Sequence, residues 1–150
     1  MIVFMTGATG FLGMEVLARL LERGDREVVA LVRAPDRAAA DERLDGVLRT
    51  LWRDPERYRH LVRAVPGDLT APGLGMRHAD RTAAAEDAGA ILHCAASISF
   101  DLPLEEARAI NVEGTREMVG FARECKALGR LERFAGTSSK SPRAKARSGQ

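Results

Sequence analysis

The residues best suited to chemistry stand near the N-terminus, in Thr6-Gly7-Ala8-Thr9-Gly10-Phe11-Leu12-Gly13. Three glycines at this spacing lie between an apolar run and an amphipathic stretch, which predicts a strand, a tight turn and a helix. Gly7 permits the turn. Gly10 has no Cβ, so a pyrophosphate can approach the backbone, and Gly13 lets the helix pack close to the strand. Thr9, Phe11 and Leu12 complete the motif, and the phosphates would sit at the helix N-terminus, where free N–H groups and the dipole favour anions. The plain alternative is a glycine-rich turn without a ligand. Twenty residues beyond Gly13 stands Arg33. An acid at that position would bind the ribose 2′-OH of NAD, whereas a guanidinium pairs with a 2′-phosphate. The expected dinucleotide is therefore NADPH (NADP) in preference to NAD. The alternative for Arg33 is an exposed arginine paired with Asp36.

Other reactive side chains are few. Cys94 and Cys125 form no CxxC, which excludes a disulfide framework and a cysteine-rich zinc site. His60, His78 and His93 share no metal spacing, so no metal is expected. His93 reads as a hydrogen-bonded core residue. The 150 residues are 45% hydrophobic and 29% charged, the composition of one soluble globular domain. No apolar run approaches the ~18 residues of a membrane span, and no basic lead precedes an apolar stretch. A cytoplasmic protein without membrane contact is expected. Of the net charge of +2, Lys140, Arg143, Lys145 and Arg147 contribute +4, which leaves −2 on the rest. That body is not expected to bind nucleic acid.

The elements that must hold these residues alternate. Ile2–Thr6 predicts a buried strand, and Phe11–Arg23 a helix stopped by Gly24. Glu27–Val32 predicts a second strand, with five of its six residues apolar, as burial on both faces requires. A long polar helix is expected over 35–52, then a short one capped by Asp54 with Pro55 at its first position. Leu61–Val65 predicts a third strand before a Pro66-Gly67-Asp68 turn, and 71–75 a loop. A short helix capped by Asp80 follows, then a fourth strand, Ala90–His93. A long helix runs from Pro103 to Leu128, with Leu104, Ala107, Val112, Thr115, Val119 and Ala122 inward. A fifth strand begins at Arg133. Strand–helix alternation implies an α/β fold of Rossmann type, a doubly wound parallel sheet ending after about five strands. The domain is expected over 1–136, with 137–150 a basic disordered tail.

These motifs together resemble the extended short-chain dehydrogenase/reductases, and within them the thioester reductase and fatty acyl-CoA reductase branch. The matching segments are the glycine motif, Leu31-Val32-Arg33, Gly67-Asp68-Leu69, His93-Cys94-Ala95-Ala96 and Asn111-Val112-Glu113-Gly114-Thr115. The glycine motif alone is shared with nucleotide-sugar epimerases and dehydratases. The resemblance implies that Asp68 accepts a hydrogen bond from the adenine amine, with Leu69 against the ring. Ala95 and Ala96 would line the cofactor, beside Cys94 as a small buried hydrophobe. Asn111 would tie the long helix to loops near the nicotinamide. The alternative for Asp68 is a turn residue bonded to its own backbone.

The same resemblance demands a Tyr-x-x-x-Lys pair for proton transfer, and this chain lacks it. Its one tyrosine, Tyr58, is followed four residues on by Val62. Ser138 and Ser139 fall near the carbonyl-binding hydroxyl, Ser139 first. The leading expectation is the NADPH-binding part of an enzyme that reduces an acyl thioester, acyl-CoA or carrier-bound, to an aldehyde or alcohol. The chain alone is expected to be inactive, with self-association through an exposed sheet edge. The alternatives are a non-catalytic dinucleotide sensor or interaction module, and a fragment of a nucleotide-sugar epimerase or dehydratase.

Overall fold

The computed structural model describes residues 1–97 and 101–136. Five parallel strands form one sheet in the order β3-β2-β1-β4-β5. They are β1 (Ile2–Thr6), β2 (Glu27–Arg33), β3 (Val62–Gly67), β4 (Ala88–His93) and β5 (Arg133–Gly136). The chain winds from β1 to one edge, then returns across β1 to place β4 on its other side. The crevice at this reversal, outside the carboxyl ends of β1 and β4, is where such sheets bind ligands.

Alternation along the strands sorts the core onto two faces. Val28, Ala30 and Val32 of β2 join Met5 on one face, while Val29 and Leu31 join Phe4 on the other. The first face is covered by α1 (Phe11–Arg23) and α2 (Arg37–Leu51) through Leu17, Leu21, Leu44 and Leu48. The second is covered by α4 (His78–Asp87) and α6 (Gly114–Ala127), where Phe121 meets Phe4 with ring centroids 4.7 Å apart. A one-turn α3 (Glu56–Arg59) leads into the N-terminal end of β3.

Several boundaries differ from the sequence reading. β3 continues through Pro66 and Gly67, which pair with Val32 and Arg33. A proline is tolerated there because β3 is an edge strand in this sheet. Residues 71–75 contain a 3₁₀ turn, Pro72–Gly75, whose Leu74 carbonyl accepts the Asp68 N–H at 2.8 Å. Pro55, not Asp54, occupies the cap of α3. α4 begins at His78, so Asp80 lies inside its first turn and pairs with Arg37 at 2.9 Å and Arg77 at 2.8 Å.

The largest departure concerns the long helix. It comprises α5 (Leu104–Arg108), a π turn (Ala109–Glu113) and α6. At the π turn the Gly114 N–H reaches back to the Ala109 carbonyl. The extra residue rotates the downstream face by ~100°. The buried residues of α6 are Gly114, Met118, Phe121, Ala122 and Cys125. Leu104 and Val112, expected inward, are exposed.

Candidate functional site

The glycine turn has three different physical reasons for its three glycines. Gly7 has φ +78°, and a Cβ there would lie 2.5 Å from the Ala95 amide nitrogen. Gly13 faces the same turn from the helix: its Cβ would fall 1.8 Å from the Gly7 carbonyl oxygen. Gly10 is different. Among the described residues its Cβ would meet only the Gly7 oxygen, at 3.4 Å, so their packing does not demand a glycine there. Gly10 also lines the crevice. Gly10 caps α1 with no side-chain hydrogen bond, and the first turn holds no acid. Free N–H groups therefore remain to meet an anion.

The crevice is a cleft of about 390 Å³ at the carboxyl ends of the strands. That volume lies within the range of small-molecule sites. Thr9 and Gly10 line its middle, Arg33, Asp68 and Leu69 one end, and Cys94, Ala95 and Ala96 the other. Phe11 and Leu12 are 92% and 48% exposed and do not line it; only their backbone N–H groups face the problem of an anion at the helix start. Gly13 is buried behind the turn.

At the β2–β3 end, Arg33 is exposed, and its nearest acid is Asp68, with Nε to Oδ2 at 4.0 Å. Asp36 is engaged elsewhere: its carboxylate accepts the Ala39 N–H at 2.8 Å and caps α2. Asp68 spends one oxygen on its own turn. Oδ1 accepts the Thr70 hydroxyl at 2.7 Å and the Thr70 N–H at 2.9 Å. These bonds, the hydroxyl first, hold its carboxyl below the usual carboxylate range, with a smaller contribution from Arg33. Oδ2 faces Arg33. Leu69 packs on α6, where a Cβ on Gly114 would come within 2.6 Å of its Cγ.

At the β4 end, Asn111 clamps the loop. Its side chain accepts the Ser97 N–H at 2.8 Å and donates to the Ser97 carbonyl at 3.0 Å. Cys94 is half-buried, and burial pushes its thiol upward, away from nucleophile chemistry. His93 is buried and bonded to Thr6 and Thr115. Ser139 lies outside the described residues. No cluster of metal ligands occurs among the described residues, and no helix there is long and apolar enough to cross a membrane.

Three features escaped the sequence reading. Arg43 donates to the Arg33 carbonyl and lines a hollow that shares Arg33, Gly67 and Asp68 with the cleft. Ile110 enters the lining from the π turn. Gly114 is the seat of Leu69. An i+10 arginine on the following helix is a weak signal, and the other two depend on contacts between distant segments.

This chain matches the family described as male sterility protein over residues 5–148. It belongs to that family. Its domain is of the NAD(P)-binding type found in thioester reductases and fatty acyl-CoA reductases. It is 41% identical over 123 residues to an isonitrile lipopeptide synthase of Streptomyces coeruleorubidus, covering 80% of this chain and 8% of that one. It is 35% identical over 130 residues to the fatty acyl-CoA reductase wat of Drosophila melanogaster, covering 81% and 25%. Among solved structures, the terminal R domain of the myxalamid PKS-NRPS pathway superposes with a TM-score of 0.78 at 32% identity, covering 92% of this chain and 34% of that one. The chain thus spans a small part of the curated relatives it matches.

Proposed function

We propose that this chain is the dinucleotide-binding part of a reductase that uses NADPH to reduce an acyl thioester, acyl-CoA or carrier-bound, to an aldehyde or alcohol. The observation that carries the nucleotide half is Gly10. It lines an open cleft at a helix start with no side-chain cap, and nothing among the described residues requires it to be glycine. Arg33, with Arg43 behind it, supplies the positive charge that favours a 2′-phosphate over a bare ribose. The thioester half rests on the relatives, one named a fatty acyl-CoA reductase and another a terminal R domain.

When bound, the dinucleotide would supply hydride. The residues here would hold its phosphates at Gly10, its 2′-phosphate at Arg33 and its adenine near Asp68 Oδ2 and Leu69. They do not supply a phenol for protonation. Tyr58 stacks on Trp52 at 4.3 Å, in α3, at the N-terminal end of β3 and away from the cleft. The chain by itself therefore binds and does not turn over. Titration calorimetry with NADPH and NADH, followed by incubation with NADPH and a long-chain acyl-CoA, tests both parts. Tighter binding of NADPH with no loss of reduced nicotinamide absorbance is expected. Failure to bind either nucleotide refutes the cofactor reading, and turnover refutes the claim of inactivity.

A further inference from the structure

Thr6 and His93 are the two polar side chains among the buried residues described, and they touch each other beneath the cleft. Their hydrogen bonds can be assigned a direction. The Thr115 hydroxyl donates to the Asn111 carbonyl at 2.8 Å. Its oxygen must then accept from His93 Nε2, 3.2 Å away, which places the imidazole proton on Nε2. His93 Nδ1 is left as an acceptor, and the Thr6 hydroxyl donates to it at 2.7 Å. The Thr6 oxygen in turn accepts the Ala95 N–H at 3.3 Å. Every proton in the series has one place.

The series closes on itself. Asn111 holds Ser97 by both backbone groups, and Ser97 follows Ala95 by two residues. A ring thus runs from Thr6 through His93, Thr115, Asn111 and Ser97 back along the chain to Ala95. It joins the end of β1, the end of β4 and the π turn. Thr6 lines the cleft at its middle, and Ala95, Ser97 and Ile110 line it on the side away from Arg33.

We infer that His93 is a positioning residue for the half of the cleft opposite Arg33, where the nicotinamide half of the dinucleotide would lie. This rests on the cofactor reading above: with the 2′-phosphate at Arg33 and the pyrophosphate at Gly10, the second nucleoside has only the β4 side to occupy. The neutral, Nε2-protonated imidazole sets the distance between Thr6 and the π turn, and so the position of the 95–97 backbone. No charged side chain contributes to the ring, and burial pushes the imidazole pKa down, which favours its neutral form. A second proton on Nδ1 would reverse the bond to Thr6, turning its hydroxyl from donor into acceptor.

The test compares two probes on the full chain. NADPH spans both halves of the cleft, whereas adenosine 2′,5′-bisphosphate reaches only the Arg33 half. Thr115→Val removes the link to His93 at a half-buried position, and Thr115→Ser keeps it. Thr115→Val is expected to weaken NADPH by roughly three- to tenfold, the scale of one neutral hydrogen bond, and to leave the bisphosphate within about twofold. Thr115→Ser restores NADPH. His93→Gln, which keeps a donor near Nε2 but offers no Nδ1 acceptor, should show the same split if it folds. Equal losses for both probes, or none for NADPH, overturn the inference and leave the cofactor reading standing. A wild-type chain that binds neither probe overturns both.

Discussion

The contrast between Gly10 and Gly13 separates fold from function in one pair of variants. In Gly13→Ala the new Cβ falls 1.8 Å from the Gly7 oxygen and 2.5 Å from its carbonyl carbon. Helix α1 must withdraw by ~1.5 Å to restore van der Waals contact, which loosens Leu17 and Leu21 in the core beneath. Overpacking of this kind costs about 1–3 kcal/mol or more, offset by at most ~1 kcal/mol from replacing a helical glycine. With the lost core packing added, a net cost of roughly 2–4 kcal/mol lowers the melting temperature by about 5–15 °C in a domain of this size. Among the described residues Gly10→Ala meets nothing closer than 3.4 Å, at φ −87°, which alanine adopts freely. Its stability should stay within about 1 kcal/mol of wild type. With the phosphates held at Gly10 as proposed, the added Cβ would crowd them, so NADPH affinity should fall by at least ~10-fold. Thermal melts and a fluorescence titration decide. Wild-type nucleotide affinity in Gly10→Ala refutes the phosphate site, and a wild-type melt in Gly13→Ala refutes the packing argument.

Four further outcomes are expected. Arg33→Asp should weaken NADPH much more than NADH in parallel titrations; equal losses would remove Arg33 from cofactor choice. Cys125 is fully buried, and burial pushes its thiol from 9.0 up to about 11. Above pH 9 the unfolded chain ionises this thiol while the folded chain does not, so stability falls as pH rises toward 11, by up to about 2–3 kcal/mol. Urea melts of wild type and Cys125→Ala at pH 8 and pH 10.5 should converge at high pH; parallel curves count against it. Phe121→Ala removes the ring packed on Phe4 and should cost about 3–5 kcal/mol in urea unfolding, and a loss below ~1 kcal/mol would contradict its place in the core. β5 lies at a sheet edge with Phe134 exposed. Sedimentation should show concentration-dependent association that Phe134→Asp reduces; a wild-type monomer at every concentration argues otherwise.

Much of the fold is legible because local and global signals agree. In β1 and α1, an apolar run, a glycine turn, a helical stripe and Gly24 at φ +68° all specify the same boundaries. β2 reads as buried on both faces, and it is. The long helix fails for a definable reason. A single phase carried from Leu104 assumes unbroken 3.6-residue periodicity, and the π turn resets it, so of the expected inward set only Ala122 is buried. Nothing in Ala109–Glu113 announces the extra residue. Likewise Pro66 reads as a strand terminator until the edge position of β3 is known.

The candidate site divides along the same line. Spacing alone places Gly7, Gly10, Gly13 and Arg33, because a strand–turn–helix and the next strand end are local features. Asp68 illustrates why two readings of one residue need not compete. Its Oδ1 serves the turn through Thr70, and its Oδ2 remains at the Arg33 end of the cleft. The links from Thr6 to His93 and from His93 to Thr115 span 87 and 22 residues, beyond any local pattern.

The glycines also show which residue types can report binding at all. Gly7 and Gly13 are required by the protein's own atoms, so their presence would be the same with or without a ligand. Gly10 is the member of the motif that the fold leaves unexplained. A feature that stability does not require, placed where an anion would need it, is the stronger reason to read the turn as a nucleotide cradle. The same logic applies to the ring around His93. A buried imidazole could satisfy its two nitrogens with any nearby partners. Here Thr6 itself lines the cleft, and Thr115 is bonded to Asn111 of the π turn, whose Ile110 lines it. A substitution that loosens the ring should therefore be felt by a ligand that fills that half before it is felt by one that does not.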